Sequence, residues 1–494
     1  MSAISPVISR LIPRATPVLV IVACAMLLCL PAIAQQTLPA SVQKSLLQAG
    51  IPMNALSLAI QAVNVDSTTS QPSLLIQADQ AMNPASTMKL LTSLAGLEEL
   101  GPAFRWKTQF LADQTVKKEV LNGNLYLRGG GDPNLTWEKF AVMLRALRYR
   151  GIKKIHGNLV LDRSYFQPER MDIDAPAFDQ HPDAYYNIIP DALLIHGNIS
   201  TFTVESGKDK IDLRLQTPLD KIRINNHLYL TDKTCPEWES EWKSPAIDMQ
   251  RKDALELTFS GGFPQQCKIT HHLNLLDRNL YISHMFRTLW QEMGGSWQGQ
   301  VIDGITPSTT ILLEEHQSDS LADTIRIINK YSDNMMARML YLTLGAESPD
   351  KKSATSLAMA ETRIRNWLLK QGINTAGMVL ENGSGLSRNE RISAAQMAAI
   401  LQLAARSNWY PEFVSSLPIG GLDGTMRKRL TSSAAELRAR IKTGTLKDSV
   451  AIAGYVKDLH NHTWIIVAMV NHENAIQARP ALDELINWLA SGRP

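Results

Sequence analysis

Four places in the chain put a lysine three residues after a serine: Ser41, Ser86, Ser240 and Ser348 each head such a pair. On a helix, side chains three apart share a face. A lysine desolvated beside a serine has its proton affinity lowered toward that of a general base, and the serine becomes an activated nucleophile. Spacing alone does not select a pair, because about one or two chance matches are expected in a chain of this length. Context favours Ser86-Thr87-Met88-Lys89. Pro84 precedes it, where a fixed φ suits a helix start, and Leu90, Leu91, Leu94 and Leu97 form an apolar stripe beyond it. A helix start also presents free N–H groups and a positive dipole end to a developing oxyanion. None of the other three is expected to open an apolar-striped helix. The bland alternative for Ser86 is an ordinary helix start.

Two further groups have the residue types to complete a site. Ser332-Asp333-Asn334 falls between two helical runs, one starting at Asp319-Ser320 with Leu321, Ile325, Ile327 and Ile328, the next spanning 335–344. A turn there holds Ser332 and Asn334 toward one cleft. Plain helix capping is the alternative, and Ser387-Arg388-Asn389 repeats the pattern. Lys442-Thr443-Gly444 occurs once, opening a strand. Gly444 is expected to leave room for a substrate backbone laid along that strand, and Lys442 to place its charge in an open cleft.

The elements that must position these groups read as follows. A short helix at 39–49 leads to strands at 56–65 and 74–78, joined by a polar turn at 66–70. Near the other end, strands at 440–445, 450–456 and 464–470 precede a helix at 478–490. Two strands from the start and three from the end predict one five-stranded antiparallel sheet between helices, an α/β (α+β) fold. Residues 104–307 differ in texture, alternating short strands with turns, and a helix at 276–293 closes them. This predicts an insertion of two small β-rich domains, divided as 104–165 with 262–307, and 166–261. Residues 35–103 and 308–494 then form the catalytic domain. The glycine-rich Gly129-Gly130-Gly131-Asp132-Pro133 lacks a following Lys-Ser/Thr and reads as a tight turn, not a phosphate cradle.

The 494 residues exceed what one core serves. With 45% hydrophobic and 20% charged residues, the chain has the composition of a folded globular protein. Residues 1–34 read as a secretory signal: Arg10 and Arg14, an apolar run, then Ala32-Ile33-Ala34. An uncleaved anchor, or lipid modification at Cys24, are the alternatives. Net charge is +3 before the two signal arginines are removed, and no basic block predicts a nucleic-acid partner. Cys24 and Cys29 lie in the signal, leaving Cys235 and Cys267 as an even pair in an exported chain. A structural disulfide is expected, with two free thiols as the alternative.

The three motifs, in this order, resemble those of the serine penicillin-recognising enzymes. The long interval between Ser86 and Ser332 is similar to that of the low-molecular-mass class C penicillin-binding proteins, the D-alanyl-D-alanine carboxypeptidase/endopeptidase family. The stretches from Leu127 to Thr136, Gly157 to Phe166, Asn382 to Arg388 and Gly421 to Met426 also resemble family blocks. One departure is visible: the third block often opens with aspartate, and here with Asn382.

The resemblance implies a β-lactamase/transpeptidase-like fold and a periplasmic D,D-peptidase acting on peptidoglycan stem peptides, acylated by β-lactams. Ser86 would be the nucleophile and Lys89 its base. Ser332 would relay a proton, Asn334 would hold the substrate amide, and Asp333 would lie among the substrate-binding residues. Lys442, Thr443, Gly444 and Thr445 would receive the terminal carboxylate, and the N–H groups of Ser86 and Thr445 would form the oxyanion hole. No metal or cofactor is expected; other cell-wall enzymes are candidate partners. The alternatives are a β-lactamase of the same fold, with Glu361, Glu381 or Glu390 activating water, and a non-catalytic wall-binding scaffold.

Overall fold

Five strands form the sheet behind the three motifs. β1 (Leu56–Ala62) and β2 (Ser73–Ile76) come from the start of the chain, and β3 (Ala439–Leu446), β4 (Ser449–Lys457) and β5 (Thr463–Asn471) from its end. Their order is β3-β4-β5-β1-β2, with every neighbouring pair antiparallel, as predicted. Central β5 is buried on both faces. Ile466, Ala468 and Val470 enter one core and Ile465, Val467 and Met469 another, because successive strand side chains point to opposite faces.

The helices that frame the sheet include α1 (Ala40–Gln48), α2 (Lys89–Leu100), α3 (Leu321–Tyr331), α4 (Asn334–Ala346), α5 (Ala394–Arg406) and α6 (Arg479–Ala490). α1 and α6 cover one face through Val42, Leu46, Leu482, Leu485 and Leu489. α2 through α5 build the core on the other. The stripe at Leu90, Leu91, Leu94 and Leu97 understates α2, in which every residue from Lys89 to Leu97 is buried. α2 packs against both α3 and α4, so its polar positions are enclosed as well.

The computed structural model describes residues 37–64, 73–173, 184–251, 254–349 and 354–492. The expected signal with Cys24 and Cys29, the turn at 66–70, and Lys351 of the Ser348 pair lie outside the described residues. Among the described residues no helix is long and apolar enough to cross a membrane.

The region between α2 and α3 is β-rich around a core of its own, which includes Phe110, Phe140, Phe202, Phe259, Tyr281 and Trp290. One sheet orders Val301–Asp303, Leu159–Asp162, Leu125–Arg128, Lys107–Ala112 and Ile311–Gln317. Its edge strand Ile311–Gln317 follows position 307 yet pairs antiparallel with Lys107–Ala112. Two three-stranded sheets lie between Ser200 and Leu273. A buried ionic knot ties the segment 185–191 down. Asp191 accepts from Arg163 Nε at 2.9 Å and Arg278 Nη1 at 2.7 Å, while Arg278 also donates to the Ile189 and Pro190 carbonyls.

Cys235 and Cys267 are bridged, with Cα atoms 5.2 Å apart and a sequence separation of 32. Such a closure stabilises by about 3–4 kcal/mol in the loop-entropy account. Cys267 packs with Val204 and Phe263 in a satellite core of the insertion. A Cys235→Ser/Cys267→Ser protein should therefore melt earlier yet be acylated by penicillin at the parental rate. A slowed acylation at temperatures where it remains folded would show that the bridge shapes the site.

Candidate active site

The chain enters the site through Asn83. Its Oδ1 accepts the Ala85 N–H at 2.8 Å, and its Nδ2 donates to the carbonyls of Ser387 and Arg388. Ala85 is held at φ 44°, a left-handed conformation that costs an L-residue energy and needs surrounding structure to hold it. A 3-10 turn, Ala85–Met88, then leads into α2. Ser86 is half-buried and Lys89 is 0% exposed. Lys89 Nζ donates to Ser86 Oγ at 3.0 Å, to Asn334 Oδ1 at 2.6 Å and to the Ser384 carbonyl at 2.5 Å. Burial lowers its pKa to about 7, against the opposing pull of the Asp333 and Glu390 charges. A substantial share of Lys89 is then unprotonated at neutral pH, as a base toward Ser86 must be.

Of the other pairs, Ser41 does open a helix after a proline, α1 behind Pro39, with Val42 and Leu46 buried. This corrects the expectation that Ser86 alone has that context. What distinguishes the two is burial, since Ser41 and Lys44 are exposed. Ser240 and Lys243 are exposed too, and Ser348 is buried.

Ser332 ends α3 in the left-handed conformation, φ 62° and ψ 37°. Asp333 caps α4 by accepting the Met336 N–H at 2.8 Å, so the turn both caps a helix and faces the site. Asp333 Oδ2 accepts from Tyr185 OH at 2.6 Å, which leaves both carboxylate oxygens engaged by the protein rather than open to substrate. Asn334 Nδ2 points to the Tyr186 carbonyl at 3.4 Å.

Lys442 departs from the sequence reading. It is 0% exposed and lies in no open cleft; Nζ donates to Ser332 Oγ at 2.9 Å and to the Thr443 carbonyl at 2.7 Å. Burial first, and the nearby Lys89 charge second, push its pKa well below the usual lysine range. Gly444, two residues on, shares the same strand face. A Cβ there would sit 2.8 Å from both the Pro84 carbonyl oxygen and the Ser86 nitrogen. Its bareness thus admits the turn that carries Ser86, not a substrate backbone.

The open side of β3 is its edge. The Ile441 N–H reaches the Pro418 carbonyl there at 2.9 Å, and strand alternation directs the Thr443 and Thr445 N–H groups the same way. Thr443 Oγ1 donates to Thr425 Oγ1 at 2.9 Å, which brings the block at Gly421–Met426 to this edge. The exposed Arg479 donates to Thr445 Oγ1 at 3.1 Å, placing at this edge a cation other than the expected Lys442.

If Lys442 serves through Ser332, Lys442→Ala should slow penicillin acylation by about 10²-fold or more, the scale of a lost proton-transfer partner. Melting temperature should change little, because the substitution also removes a desolvated amine. Equal acylation rates would reduce Lys442 to a strand residue.

Sequence reasoning also missed contacts made from afar. The block at Asn382–Arg388 supplies the Ser384 carbonyl to Lys89, 295 positions away in sequence. Gly385, at φ 78°, lies so close that a Cβ would fall 1.8 Å from the Ala85 oxygen. Tyr185 and Tyr186 come from the insertion. The resemblance picks out Asn382–Arg388 without giving it a role, and no local pattern marks Tyr185 or Tyr186.

Residues 38–491 match the family described as D-Ala-D-Ala carboxypeptidase 3 (S13). The chain belongs to this S13 family. It is a low-molecular-mass class C penicillin-binding protein and a serine-type D-Ala-D-Ala carboxypeptidase. The Haemophilus influenzae D-alanyl-D-alanine carboxypeptidase DacB is 27% identical over 398 residues, 79% of this chain and 80% of that one. The Actinomadura D-alanyl-D-alanine carboxypeptidase is 26% identical over 404 residues, 80% of this chain and 74% of that one. The crystal structure of Haemophilus influenzae penicillin binding protein 4 shares the fold with a TM-score of 0.72 at 23% identity, over 91% of this chain and all of that one.

Proposed function

We propose that this S13 protein is a periplasmic D,D-peptidase that cleaves peptidoglycan stem peptides through an acyl-enzyme on Ser86, as carboxypeptidase and as endopeptidase. The observation that carries the reading is the wholly buried Lys89 amine, 3.0 Å from Ser86 Oγ. Ser86 Oγ attacks the carbonyl between two D-alanines, and its proton passes to Lys89 Nζ. The N–H groups of Ser86 and Thr445 receive the oxyanion. The C–N bond breaks as the leaving amine takes a proton through Ser332, which Lys442 holds. Asn334 serves the substrate amide and orients Lys89. Thr443 and Thr445, with Arg479 beside them, meet the terminal carboxylate. Water then attacks the ester, returns a proton through Lys89 and frees the acid. In the endopeptidase reaction the leaving amine belongs to a second stem peptide.

A β-lactam carries a similar carbonyl and carboxylate, and the related Haemophilus influenzae penicillin binding protein 4 has been crystallised with one. The expected signal at 1–34 supports export. The engagements of the three glutamates support slow deacylation over a β-lactamase. Glu361 pairs with Arg365, Glu381 accepts from Ser387 and Asn389, and Glu390 accepts backbone N–H groups. The division of the insertion at 104–165 with 262–307, and 166–261, remains part of this reading, as do other cell-wall enzymes as partners.

The test is mass spectrometry after penicillin exposure and proteolysis. A lasting adduct on the Ser86 peptide is expected. Rapid loss of the adduct with hydrolysed penicillin would indicate a β-lactamase, and no adduct a scaffold.

A further inference from the structure

Glu390 is buried to 0% exposure beside the nucleophile turn, and the reaction as described gives it no part. Its Oε1 accepts the N–H groups of Gly383 at 2.9 Å, Asn382 at 3.1 Å and Glu381 at 3.4 Å. The next residue of that loop, Ser384, presents its carbonyl to Lys89 Nζ. One turn along α2, Thr92 donates to the Gly383 carbonyl at 2.6 Å. α2 and Glu390 therefore grip the same loop from two sides. Glu390 Oε2 is buried and has no hydrogen-bond partner among the described residues. An interior carboxylate left half bare is costly unless a nearby charge offsets it.

We propose that Glu390 is a positioning residue for Lys89, holding the loop that fixes the amine and adding its negative charge to that of Asp333 beside it. The proposal rests on Lys89 acting as the base for Ser86.

Asp333, from the turn before α4, and Glu390 both favour protonated Lys89, while burial opposes it. From β3, Lys442 feels the Lys89 charge. From α4, Arg338 and Tyr341 face Glu390, and Arg278 in turn faces Arg338. Burial raises the Glu390 pKa; the three N–H groups and Lys89 work against that rise.

The test is the pH dependence of penicillin acylation at Ser86 in the parent, Glu390→Gln, Glu390→Asp and, as a same-charge control, Glu361→Gln. Glu390→Gln keeps an acceptor for the loop but removes the charge. Lys89 should then lose its proton more readily, moving the acid limb to lower pH by on the order of one unit. Glu390→Asp keeps the charge on a shorter arm, so the limb should stay while the plateau rate falls. Glu361→Gln should leave the limb in place. A Glu390→Gln limb that coincides with the parent's would overturn the proposal. Should Glu390→Gln fail to fold, carboxyl ¹³C NMR of the parent decides, with the Glu390 signal identified by its loss in Glu390→Asp. An ionised group at pH 7 supports the proposal and a protonated one overturns it. Absence of any Ser86 adduct in the parent would instead sink the functional reading itself.

Discussion

Replacing Ser86 with alanine should abolish both the penicillin adduct and D-alanine release, a loss of roughly 10⁵–10⁶-fold, the size seen when an activated serine nucleophile is removed. The chain carries its own controls in Ser41, Ser240 and Ser348, each followed three residues later by lysine. Ser41 is the sharpest of them, because it too opens a helix behind a proline. Its lysine, Lys44, is exposed, whereas Lys89 is enclosed and donates to Ser86 Oγ. Enclosure is what turns a lysine toward base function, and it is present at Lys89 and absent at Lys44. Ser41→Ala should therefore leave adduct formation and D-alanine release at parental levels. An adduct on Ser41, Ser240 or Ser348, or substantial D-alanine release by Ser86→Ala protein, would overturn the assignment.

The second large effect concerns Lys89. Lys89→Ala should slow acylation by about 10³–10⁴-fold, the upper range for a lost general base. In the parent, acylation should rise about tenfold per pH unit and level off near the Lys89 pKa of about 7, since only the unprotonated amine accepts the Ser86 proton. The same shift carries a stability signature of definite sign. Between about 7 and the ordinary lysine value of 10.5, the unfolded chain holds a proton that folded Lys89 has shed. Its contribution to stability should therefore grow as pH rises across that window and fade as pH falls toward 7. Stability measured by denaturant titration across these pH values should rise less steeply for Lys89→Met than for the parent. A parental acylation profile with no limb near 7 would show that another group is the base.

Much of the architecture was legible in the sequence because it follows from local pattern. The partly alternating run of β1 and the continuous apolar runs of β4 and β5 announce the sheet, and their position at the two ends of the chain announces its closure. Serine, proline and asparagine at helix starts mark where Ser86 and Ser332 stand. Ser86 and Lys89 are three apart, so helical geometry already brings that pair together, whereas Ser332 and Asn334, two apart, are set by the left-handed turn between α3 and α4.

Facing and desolvation were not legible, because both depend on what packs from elsewhere. By itself the sequence determined the sheet, the helices and which short motifs have residue types fit for serine chemistry. Tertiary structure decided that Lys442 is buried against Ser332, and that Gly444 makes room for the Ser86 turn. It also decided that Asp333 bonds Tyr185 of the insertion, and that the Ser384 carbonyl and buried Glu390 frame Lys89. Ser41 and Ser86 show the reason: local sequence places both at a helix start before a lysine. An amine's proton affinity is set by the solvent and charges around it, and these come from segments hundreds of residues away.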